Sequence, residues 1–265
     1  MHTSRNNCPI VVSSEEELFQ RLVERSKGEL TGTIDYKKSL ENISQNGHSL
    51  EGVIRLVHTL GQGLLTKQEP PSQCYKFAAE LESVMEAYGQ ITNDFQLEAD
   101  SHQLIFDLSL PLALETNNTT HEADLRMDLI EGLLLENLES TFSSKIEAEL
   151  QNCAANIESL GSHARLDQRL RYSRITLECM IVEAPSNLRE LVVKRISSVQ
   201  GLYNDIRPGD HDAAKEYVRS LVIGGTFLIS EDALTREQLQ FCESSASEAL
   251  EMMSIPPLFR QRLFK

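Results

Sequence analysis

Residues 74–88 read CYKFAAELESVMEAY, and this stretch decides the fold class. Cys74, Phe77, Ala78, Leu81, Val84, Met85 and Tyr88 recur at steps of three and four, which places them on one face of an α-helix. Pro70 and Pro71 precede the stretch, and Gly89 follows it as the expected stop.

The same period extends in both directions. Upstream, Ser14 and Glu17 form a capping box for a helix that turns Leu18, Leu22 and the stem of Arg25 inward, with Gly28 as its stop. Leu50, Val53, Ile54, Val57, Leu60, Leu64 and Leu65 share a face of the next strongly periodic segment. Its Gly52, Gly61 and Gly63 each weaken a helix by about 1 kcal/mol relative to alanine, and they also permit close helix packing. Downstream, Leu104–Leu114 has an apolar residue at every even position, the period of a strand. Ile105, Ala113 and the helical neighbours favour a helix instead, which Pro111 should end near Ser109.

Glu115–Glu122 is polar and reads as a loop. Helical faces then follow at Leu125–Leu134, Leu166–Ile181 and Leu188–Leu202, the last with Asn187 as cap. Ile146, Leu150, Cys153, Ile157 and Leu160 form a heptad seam too short for a free coiled coil. Ala214, Tyr217, Val218, Leu221 and Val222 line a helix capped by Asp210 or Asp212. Gly224-Gly225 reads as its interruption, with a small hairpin over Ser220–Ile229 as the alternative. Thr235 and Gln238 box a final helix carrying Leu239, Cys242, Ala246, Leu250 and Met253.

The expectation is an all-α protein, a multi-helix bundle or irregular α-solenoid of about nine to eleven helices, with at most one minor hairpin. The expected organisation is a flexible N-terminal segment at 1–13, a helical lobe at 14–114, a second at 121–254, and an apolar, basic tail at 255–265. The two lobes should join near Glu115–Glu122.

The chain has 265 residues, 40% apolar and 25% charged, enough to bury a core without staples. Its net charge of −15 opposes nucleic acid and anionic membrane as partners. The charge is uneven: Phe77–Ser144 carries 14 acidic residues and one basic residue, Arg126. His163–Arg219 is nearly balanced. The five cysteines are dispersed and odd in number, which points to a reducing compartment, with Cys74, Cys153, Cys179 and Cys242 as small buried hydrophobes. No signal-peptide core opens the sequence and no run of about twenty apolar residues follows, so a cytoplasmic protein without a membrane span is expected.

Motifs for chemistry are missing. No two histidines lie three to five residues apart, and H-E-x-x-H, G-x-S-x-G, G-x-G-x-x-G and the P-loop pattern do not occur. Asp210-His211-Asp212 reads first as a helix cap. No catalytic, cofactor or metal residue is nominated. Two segments remain as partner-binding candidates. Arg165, Arg169 and Arg174, with Tyr172 among them, read first as a solvated or ion-paired face, and alternatively as a site for an acidic or phosphorylated partner. Leu258, Phe259, Leu263 and Phe264, interleaved with three cations after Pro256-Pro257, either dock on the protein itself or enter a partner groove.

The function expected is a non-enzymatic protein–protein interaction module, an adaptor or a subunit of a cytoplasmic assembly, whose partner is another protein. The alternatives are a helical enzyme with scattered active-site residues, and a regulator acting through the three arginines. The sequence carries no signal for oligomeric state.

Overall fold

A computed structural model of the chain describes residues 9–92, 95–136, 144–230, 240 and 242–247. The architecture is an all-α multi-helix bundle. Among the described residues there are ten α-helices and two short 3-10 turns, and the chain divides into two compact units, Met1–Glu136 and Asn137–Lys265. The box at Thr235–Gln238 and the tail at 255–265 lie outside the described residues.

The first unit contains α1 (Glu15–Lys27), α2 (Tyr36–Gln45), α3 (Leu50–Thr66), α4 (Pro71–Thr92), α5 (Phe95–Glu115) and α6 (Thr119–Glu136). Helix α4 is its centre: α1, α2, α3 and α5 all pack on it, through the Phe77, Leu81, Val84 and Tyr88 face that its sequence period defines. Burying a side chain of this size stabilises the fold by roughly 1.5–3 kcal/mol. Ser14 Oγ accepts from the Glu17 backbone N–H at 3.2 Å, and Gly28 ends α1 at φ 76°. The returning arm of the capping box goes one residue further, from Ser13 N–H to Glu17 Oε2 at 3.4 Å. Residues 9–13, expected to be flexible, are tied down. Ile10 bridges to Ile34, Val12 is fully buried, and Val12 N–H donates to Ser39 Oγ at 3.1 Å.

Three helix limits differ from the sequence expectation. Helix α4 runs through Gly89 to Thr92, since glycine ends a helix only when the chain turns left-handed there. Helix α5 contains Pro111 and runs to Glu115, not Ser109. Pro111 is exposed near the helix end, where water can serve the carbonyl that lost its N–H donor. The stop comes at Asn117, left-handed at φ 50°. Asn118 N–H reaches Ala113 O at 2.9 Å and Asn117 N–H reaches Leu114 O at 3.2 Å. Asn118 Oδ1 then caps α6 by accepting from His121 N–H at 3.1 Å. The run at Glu115–Glu122 is thus a tight turn between packed helices inside the first unit, and the division of the chain falls after Glu136.

The second unit contains α7 (Ser144–Leu160), α8 (Leu166–Glu183), α9 (Leu188–Gly201) and α10 (His211–Ser230), with residues 242–247 also helical. Helices α7, α9 and α10 pack around α8, whose residues 173–177 are buried on every side. The heptad seam of α7 lies in a bundle: Ile146 and Cys153 are buried, and Leu150, Ile157 and Leu160 are half-buried. Asp210 Oδ1 caps α10 as expected, accepting from Ala213 N–H at 3.2 Å, whereas the Asn187 side chain makes no cap bond on α9. No hairpin forms at Ser220–Ile229, because α10 passes unbroken through Gly224-Gly225.

The reason lies at Gly224. A Cβ there would stand 2.6 Å from Ile196 Cδ1 and 3.0 Å from Leu177 Cδ2, so its absence is what lets α10 approach both α9 and α8. Gly225 meets nothing within 4 Å. Urea unfolding should therefore separate the two: Gly224→Ala is expected to lose about 1–3 kcal/mol by overpacking. Gly225→Ala should be neutral or gain up to about 1 kcal/mol from helix propensity.

Candidate functional site

The three candidate arginines do not share a surface. Arg165 is exposed at the start of α8 and pairs with Asp167 at 3.0 Å. Arg169 is half-buried. Arg174 is only 2% exposed. Its Nε donates to Glu216 Oε2 at 2.5 Å, and its Nη1 donates to Glu178 Oε1 and Oε2 at 2.9 and 3.0 Å. Arg219 adds a contact to Glu216 Oε1 at 3.3 Å. Arg174 is therefore a structural link between α8 and α10, not part of a binding face. At about 100° per residue, Arg169 sits only about 40° from Arg165 while Arg174 sits about 180° from it. Glu216 was missed by the sequence reading, although it lies among Ala213, Tyr217 and Ser220 on the inward face of α10.

A second polar link holds the first unit. Glu80 on α4 accepts from Arg25 Nε at 2.9 Å and from the Tyr36 hydroxyl, joining α1 and α2 to α4. Arg25 Nη1 also donates to Gly32 O at 2.8 Å. Arg25 thus does more than cover apolar surface with its stem. Burial, followed by the Glu80 carboxylate, holds the Tyr36 hydroxyl well above its ordinary range.

Across α4 to α6 the surface is different. Arg126, the one basic residue between Phe77 and Ser144, donates to Glu122 on its own helix at 2.7 and 3.0 Å and lies 5.8 Å over the Phe106 ring. Tyr75 is 38% exposed at the start of α4, with the edge of its ring system against His121, 5.4 Å between centroids. Glu82, on the outward side of α4, has its carboxyl raised above the ordinary range. Partial burial is the largest cause, Asp128 and Glu86 add to it, and His102 opposes it. His102 itself packs against Gly132, where a Cβ would come within 2.6 Å of it.

Further groups raised by burial lie on α4, on α8 and at Cys242. Burial pushes the Cys179 thiol up to about 12, with Glu178 adding to the shift, and moves Cys74, Cys242 and Tyr172 in the same direction. Cys74, Cys153, Cys179 and Cys242 are all buried free thiols. Among the described residues no three histidine, cysteine or carboxylate side chains gather as a metal site, and no helix is long and apolar enough to cross a membrane. The tail candidates Leu258, Phe259, Leu263 and Phe264 fall outside the described residues.

Two stability measurements follow. Arg174→Ala should cost about 3–5 kcal/mol, because it leaves the buried Glu216 carboxylate with only the longer Arg219 contact. Arg165→Ala should stay within about 0.5 kcal/mol of the parent in the same denaturation series. For Glu82 the folded state raises the carboxyl pKa, so ionisation weighs against folding once pH climbs through and above the ordinary glutamate range. Glu82→Gln should accordingly raise the melting temperature at pH 7, with the advantage vanishing below about pH 4.

The chain matches no protein-family model, no curated protein and no solved structure.

Proposed function

We propose that this protein is a non-enzymatic protein-interaction module, an adaptor or a subunit of a cytoplasmic assembly, whose partner is another protein. One observation carries the reading. From Phe77 to Ser144 the sequence carries 14 acidic residues and one basic residue, Arg126, which pairs with Glu122 on its own helix. An acidic surplus of this kind favours a cationic partner surface, and charge complementarity selects partners and steers their association. The segment 255–265, with four bulky apolar residues and three cations, is a second element of the reading by its composition. The three-arginine site is not retained, because Arg174 is buried.

The test is affinity capture of the tagged full chain from its native lysate, at low and high salt, with and without residues 255–265. A stoichiometric protein partner that is released as salt shortens the screening length is the expected result. Removal of the tail should reduce the yield of that partner. A folded monomer that captures no stoichiometric partner at low salt would overturn the proposal.

A further inference from the structure

We draw no further inference here: the strongest candidate, the outward face of α3 where Leu56 stands exposed in line with Gly52 and Gly63, carries nothing because it is a stripe of small residues around one leucine and nothing in the structure shows what covers it.

Discussion

Close approach of helix backbones is the constraint on which both units depend. At Gly132 and Gly224 the space that a Cβ would need is already occupied, by His102 in the first unit and by Ile196 and Leu177 in the second. Gly61 is a milder case, with Leu104 and Phe77 at 3.0 and 3.1 Å from the missing carbon. A chain with 40% apolar residues and no tryptophan has few large side chains with which to fill wide gaps between helices. Bringing backbones together leaves less volume to fill, and interiors must be filled to crystal-like density. The helix propensity lost at each such glycine is therefore offset by packing that a larger residue would prevent.

Polar links fix what apolar contact alone would leave free to slide. Arg174 ties α8 to α10 through Glu216, and Glu80 ties α4 to α1 and α2 through Arg25 and Tyr36. Each link joins helices distant in sequence, and each uses a charged group that has been withdrawn from water. Such a pair contributes little net stability beyond what an apolar substitute would give. Its effect is on register, because a buried guanidinium is satisfied in one arrangement and stranded in its neighbours.

The helices were legible because their apolar period is local. Phe77, Leu81 and Val84 declare a face without reference to anything else, and the caps at Ser14 and Gly28 are decided by their own backbone. What escaped the sequence depends on partners. Gly224 and Gly89 look alike on paper, yet one meets Ile196 and the other meets nothing. Pro111 is compatible with α5 because it falls on the exposed side, which only the packed helix defines. The arginine candidate failed for a reason that helix geometry alone contains: Arg165 and Arg174 point about 180° apart. The acidic surplus of Phe77–Ser144 was visible in the sequence, but the braced Tyr75 was not, since its contact with His121 closes across 46 residues, from 75 to 121.

The two units use their charge in opposite ways, and this difference carries the functional argument furthest. In the second unit Arg174 turns inward to Glu178 and Glu216, and Arg165 pairs with Asp167. In the first unit, Arg126 is the one cation from Phe77 to the end of α6 and pairs with Glu122, while Arg25 reaches Glu80 from α1. A surplus of like charge repels itself, which opposes compaction modestly. At Glu82 burial raises the carboxyl pKa, and Asp128 and Glu86 add to the shift. An acidic surplus of this kind is the charge pattern that the proposed protein partner would complement.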